Sequence, residues 1–169
     1  MDIKKTANLL LNFAINRLAE IFGILISLAG VFLFLALITY SPNDPNFIFP
    51  ENTKIENLIG FQGSFVSDLF FQSVGVIAYL IPLTFFFTGI NIIRSKEFFL
   101  FVENNFFTIL YLIFGTLFFS YYYSDTYSLY MNGNSGFVGE YLNQSFIRSI
   151  ISINDKIFYY VLILITLIF

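Results

Sequence analysis

Thr39-Tyr40-Ser41-Pro42-Asn43-Asp44-Pro45, the run TYSPNDP, marks where the first hydrophobic stretch of the chain meets water. Ser41 and Asp44 each precede a proline, which biases both away from helical backbone angles, while Pro42 and Pro45 fix φ and remove two backbone donors. A helix arriving through Leu37 therefore ends here. Immediately upstream, residues 21–40 carry no charge, and at about 1.5 Å per residue they reach roughly 30 Å, the thickness of the hydrocarbon layer. This is span one. It reads as an uncleaved anchor, because the run is longer than the roughly 7–15 apolar residues of a signal peptide and no small-x-small cleavage site precedes Ser41.

Composition agrees with a membrane protein: 57% of residues are hydrophobic and 11% charged, with a mean hydropathy of +0.79, far from a soluble domain. The chain has no cysteine and no histidine. That removes disulfides, thiol nucleophiles, imidazole bases and the usual zinc and haem ligands, so no cofactor is expected and no catalytic residue is assigned. The net charge of −3 and the absence of a lysine- or arginine-rich run give no surface for direct nucleic-acid binding.

Working upstream from span one, residues 1–20 read as a separate lead-in helix lying in the membrane interface. Leu9, Leu10, Phe13 and Leu18 face roughly one way and Asn8, Asn12 and Asn16 another. Downstream, residues 41–68 form a polar connection. Residues 69–93 are span two, tilted or kinked at Pro82. Residues 98–102 read as a loop or half-turn resting among headgroups, and residues 106–124 as span three, ending in Tyr121, Tyr122 and Tyr123 at an aromatic belt. From 136 to 153 an apolar stripe of Val138, Tyr141, Leu142, Phe146 and Ile150 opposes Glu140, Gln144 and Arg148, the pattern of a helix in the membrane surface. Residues 157–169 are apolar but too short to cross, and read as either a re-entrant piece or, the preferred reading, a fourth span cut by the end of the chain. The expected fold is an all-α membrane protein with four transmembrane helices, the fourth incomplete, and an interfacial amphipathic helix before the last span. Residues 1–20 are the lead-in and 21–169 the four-span domain.

Lys4, Lys5, Arg17, Arg94 and Lys96 fall on one side of this topology. Lys54, Arg148 and Lys156 are spread over longer loops on the other, which places the amino terminus in the cytoplasm. The three complete spans contain no ionisable side chain other than tyrosine, whereas a charged-substrate pathway normally needs one. A small transporter or channel subunit is the alternative reading, resting on Thr84, Thr88 and Asn91 in span two. Ala19, Gly23, Ser27 and Gly30 form a small-residue edge that lets another helix approach closely. No phosphate-binding G-x-x-x-x-G-K-[ST] occurs.

The turn at Ser41, Pro42, Asp44 and Pro45 is followed by Asn57, by the pair Gly60 and Gly63, and by Asp68 at the opening of span two. Then come Gly75, Ala78, Tyr79 and Pro82 as G-x-x-A-Y-x-x-P, and later Gly136 and Gly139, with Ser135 where a first glycine would complete a double-glycine turn. In this order and spacing they resemble the amino-terminal membrane domain of the FtsK/SpoIIIE family of bacterial DNA translocases. The resemblance covers roughly residue 17 onward. It implies an anchor in the inner membrane at the division septum, in contact with the lipid bilayer, forming homo-oligomers and meeting division-site membrane proteins. In full-length members an ATP-driven DNA motor follows; none of its motifs is in this chain, which is therefore not expected to be an enzyme. Structurally, Gly60 and Gly63 are expected to serve a turn, Gly75 and Ala78 close packing, and Pro82 a kink. Asp44 and Asp68 are expected to cap helix ends, with Asp44 on an outer turn and not buried.

Overall fold

The computed structural model describes residues 3–45, 54–123 and 133–147, with Tyr160, Ile163 and Leu164 beyond them, and side chains from Ala7 onward. Among the described residues every regular element is helical. The expected fourth span, apart from those three residues, lies outside the described part, as do Arg148, Ile150 and Lys156 and the side chains of Lys4, Lys5 and Phe146. Among the described residues, three helical stretches are long and apolar enough to cross a membrane: Ala7–Ile38, Phe61–Ser95 and Phe99–Tyr122.

Helix α1 is Ile3–Ile38, 36 residues, a rod of about 54 Å at 1.5 Å per residue. The boundary expected near residue 20 leaves no mark in its backbone. Nothing in the sequence stops the helix there: the segment has no proline, and its two glycines, Gly23 and Gly30, lie further on. The lead-in is thus collinear with span one instead of lying across it. The rod does stop at the turn its prolines dictate.

Helix α2, Phe61–Val74, starts earlier than expected, so Asp68 sits two turns inside it. A 3₁₀ turn, Gly75–Tyr79, joins it to α3, Leu80–Ser95. The irregularity in this second crossing therefore falls at Gly75, whose φ is 64° and ψ −146°, and not at Pro82. Pro82 is the third residue of α3, in the first turn, where its missing N–H and fixed φ are tolerated.

Lys96 ends α3 in the left-handed region at φ 64°, and α4 runs Phe99–Tyr122. Residues 99–102 are thus the first turn of a helix, so of the loop or half-turn expected it is the helical turn that forms. Helix α5, Gly136–Leu142, gives way to a wide turn, Asn143–Ile147, with non-helical Ser145. The Ser145 hydroxyl donates to the Tyr141 carbonyl at 2.6 Å, the kind of local bond that competes with helix propagation.

The α1–α3 contact uses the small-residue edge. A Cβ added to Gly23 would lie 2.6 Å from the Gly89 carbonyl oxygen, and one on Gly30 would lie 2.8 Å from that of Pro82. Ser27 Oγ donates to the Phe86 carbonyl at 3.3 Å. Backbones this close gain dispersion contacts that larger side chains would prevent. Towards one end, Glu20 accepts from Lys96 Nζ at 2.5 Å and pairs with Arg17, while the Phe22 ring lies tilted against Phe98 and edge-to-face with Phe101. Towards the other, Leu37, Phe71 and Ala78 form a buried core, and Phe71 lies 5.0 Å from the Tyr40 ring and 5.5 Å from the Tyr79 ring.

Candidate functional site

A helix ends with carbonyls that have no partner in the next turn. At the end of α1, Asn57 supplies one from a distance: its Nδ2 donates to the carbonyls of Ala36 at 2.8 Å and Thr39 at 3.3 Å. Its Oδ1 accepts from the Ile59 amide at 3.0 Å. The backbone around Asn57 is in turn held by Asp44, whose two carboxylate oxygens accept the amides of Glu56 at 2.8 Å and Asn57 at 2.9 Å. Thr39 Oγ1 donates to Leu35 and receives the Leu58 amide. Ser64 Oγ donates to the Pro45 carbonyl at 3.0 Å. The prolines present Asp44 to this loop by fixing a tight turn, with the Asp44 amide bonded to the Ser41 carbonyl at 3.2 Å.

Gly63 completes the arrangement, because a Cβ there would stand 2.2 Å from Asn57 Oδ1. Gly60, at φ 74°, lets the chain turn into α2. Asp44 and Asn57 are both only 4% exposed. Asp44 is thus a buried carboxylate holding loop amides, contrary to the exposed helix cap expected. Charge-assisted bonds of this kind are stronger than neutral ones. Asp68 caps no helix either; from inside α2 it accepts the Tyr40 hydroxyl at 3.0 Å and Gln72 Nε2 at 3.5 Å.

A second junction joins Gly75 to the turn before α5. The Val76 amide donates to the Asn134 carbonyl at 2.9 Å, and a Cβ on Gly75 would lie 2.0 Å from that carbonyl oxygen. Gly136, at φ 65°, abuts Ser73 so closely that its own Cβ would meet the Ser73 carbonyl oxygen at 2.6 Å. Gly139 does the same against the Thr116 carbonyl at 2.5 Å. Asn134 Nδ2 donates to the Tyr123 carbonyl just past the end of α4. The two junctions meet through the core, where Ala78 is fully buried and the Tyr79 hydroxyl donates to the Leu37 carbonyl at 3.3 Å.

The structure thus brings Asp44, Asn57, Gly60 and Gly63 together at one junction and Gly75, Gly136 and Gly139 at the other. Ala78 and Tyr79 lie between them, and Pro82 lies beside Gly30. Ser64, Gly89 and Asn134 are further parts of these contacts that carry no signal of their own in the sequence, and Thr39, the first residue of the TYSPNDP turn, joins them through its hydroxyl. Asn134 stands in an Asn-Gly-Asn run that signals a turn but not its partner.

Thr84 and Thr88, the basis of a transport reading, are engaged with α4. Thr84 and Thr108 hydroxyls lie 2.8 Å apart and Asn104 Nδ2 donates to Thr88 Oγ1 at 2.8 Å. Together with Phe87 and Tyr111 they line a cavity of about 380 Å³. Asn91 is exposed away from it.

Buried side chains here clamp backbone to backbone, the work of an all-helical, multi-pass membrane domain. The chain belongs to the family described as the 4TM region of DNA translocase FtsK/SpoIIIE, which it matches over residues 16–169. Its relatives include the DNA translocase FtsK of Rickettsia bellii, 31% identical over 46% of this chain and 10% of that protein. The DNA translocase FtsK of Rickettsia typhi is 37% identical over 37% of this chain and 8% of that protein, and that of Pseudomonas putida 36% identical over 40% and 8%. The chain thus aligns with about a tenth or less of the length of these proteins. No solved structure matches it. Family and apolar helices together make it a membrane-anchoring domain of the bacterial inner membrane.

Proposed function

We propose that this domain tethers an ATP-driven DNA translocase to the inner membrane at the division septum, serving chromosome segregation and cell division. In this reading it forms homo-oligomers and meets other division-site membrane proteins, and its amino terminus lies in the cytoplasm. The observation that carries the reading is the use made of Asp44, Asn57, Gly75 and Gly136: the first two lock the loop before α2 onto the end of α1 and the glycines lock the end of α2 against the start of α5, which favours a static holder over a moving carrier. Translocase activity is named for the relatives and comes to this chain as the activity of the protein it would anchor. The orientation rests on Arg17 and Lys96 pairing with Glu20, on Arg94 in the last turn of α3, and on the positive-inside rule.

The transporter alternative loses support because Thr84 and Thr88 bind α4. The test is the chain fused to a fluorescent protein and expressed in a dividing bacterium. Carbonate-resistant membrane association with enrichment at the septum is expected. An even peripheral signal would defeat the septal assignment, and substrate flux in liposomes holding this chain alone would favour transport.

A further inference from the structure

Each polar group in the cavity between α3 and α4 can be followed to its partner. Thr108 gives its proton to the Asn104 carbonyl at 2.8 Å, so the Thr84 hydroxyl beside it is the donor of their mutual bond. Both hydroxyls are spent. Thr88 differs: its oxygen accepts from Asn104 Nδ2 at 2.8 Å, yet its own proton has no acceptor among the described residues, although the residue is 1% exposed. The second N–H of the Asn104 amide has none either. A donor left over at membrane depth is costly unless something else supplies an acceptor.

The rest of the wall is apolar, built from Leu80, Leu83, Phe87, Phe107 and Tyr111. Leu83, Phe87 and Phe107 are 36–58% exposed, so the cavity opens sideways, towards lipid tails. Its volume of about 380 Å³ falls within the roughly 300–1,000 Å³ of small-molecule sites. In the opposite direction along α3, Arg94 stands close to two turns beyond Phe87 and therefore on the same face. Arg17 and Lys96 both bond Glu20, whereas the exposed Arg94 guanidinium has no ion pair or hydrogen bond among the described residues. Arg94 lies about 9 Å from Thr88 along the helix axis, and a headgroup layer is roughly 5–8 Å deep. A guanidinium at the level of lipid phosphates thus puts Thr88 where the glycerol esters begin.

From the boundary inward the groove therefore presents a cation, two donors and an apolar wall. A phospholipid presents a phosphate, ester carbonyls that accept but cannot donate, and an acyl chain. We infer that the groove binds one anionic phospholipid of the bilayer, with its phosphate on Arg94, an ester carbonyl on Thr88 and Asn104, and an acyl chain along Leu80, Leu83 and Phe107. Arginine suits a phosphate through its planar set of donors, and a headgroup without an ammonium leaves that phosphate uncompensated until Arg94 meets it. The inference goes beyond the anchor reading and takes from it only that α3 and α4 cross a bilayer.

The whole chain, purified in detergent, is titrated with phosphatidylglycerol and followed by native mass spectrometry. One lipid per chain is expected, held several-fold more tightly than phosphatidylethanolamine or a diacylglycerol with the same acyl chains, and not displaced by millimolar inorganic phosphate. Equal binding of the three lipids, or displacement by phosphate, would overturn the inference. Arg94→Gln is expected to weaken phosphatidylglycerol binding several-fold and Arg17→Gln to leave it unchanged; equal losses would mean attraction to charge in general and would also overturn it. Thr88→Val is expected to weaken binding several-fold. Should that variant fail to fold, Leu83→Trp at the exposed rim fills the groove instead, and unchanged binding in either folded variant defeats the site. The other occupant to be tested is the chain's own residues 157–169. The chain has no cysteine, so an oxidative cross-link between Phe87→Cys and Leu164→Cys would place that segment in the groove and exclude the lipid; no cross-link is expected. Loss of the chain from carbonate-washed membranes defeats the anchor reading and the site with it, whereas retention without selective lipid binding defeats the site alone.

Discussion

The junction at Asn57 and the junction at Gly75 both bind one helix end to another, yet by opposite means. At Asn57 side chains do the binding, reaching across a loop to carbonyls left over at the end of α1. At Gly75 and Gly136 the absence of side chains does it, letting two backbones meet at a distance no Cβ permits. A side-chain clamp fails by leaving polar groups without partners, whereas a glycine clamp fails because atoms collide. The first failure is graded; the second is close to all or none.

Gly75→Val sharpens the contrast most. It sets a branched side chain against the Asn134 carbonyl at a φ of 64°, where strain alone costs about 1–3 kcal/mol before the collision is counted. Loss of the folded domain in detergent is expected, read as circular dichroism and protease resistance, and a folded variant would show that the contact is not tight. Asn57→Ala comes next. It leaves the buried Ala36 carbonyl without its donor, at about 1–3 kcal/mol, and the part-buried Thr39 carbonyl and Ile59 amide without theirs at less, so a loss of roughly 2–4 kcal/mol is expected in an unfolding titration with sodium dodecyl sulfate. Asn57→Asp keeps the acceptor for Ile59 but turns two donated bonds into repulsions, so it should do no better than alanine. Thr84→Val, which removes one hydroxyl between α3 and α4, is expected to cost only about 0.6 kcal/mol. A loss as large as that of Asn57→Ala would move the structural centre of the domain to the α3–α4 cavity.

The stop at Pro42 and Pro45 was legible in the sequence because its cause is local: each proline restricts its own φ and its neighbour's. The break in the second crossing was not. Pro82 drew the kink in a linear reading, whereas the break sits at Gly75 because its neighbour Val76 bonds to Asn134, far away in the chain. The service Asp44 performs was hidden for a similar reason. Its partners Glu56 and Asn57 lie across a loop with no period, and hydrophobic patterning carries no information about such pairs. The small-residue edge of α1 was visible as spacing, but Gly89, which makes the contact close from the other side, was not recognised. The asparagines at positions 8, 12 and 16 suggested a helix lying flat, and pattern alone does not distinguish a flat helix from the straight continuation of a span.

That straightness turns α1 into a lever. The rod is gripped at its Ile38 end by Asn57 and along its middle by α3, while residues 7–18 are exposed throughout. A small tilt of the gripped part within the membrane is therefore delivered to the amino-terminal tip as a sideways displacement that grows with distance from the fulcrum at Glu20 and Lys96.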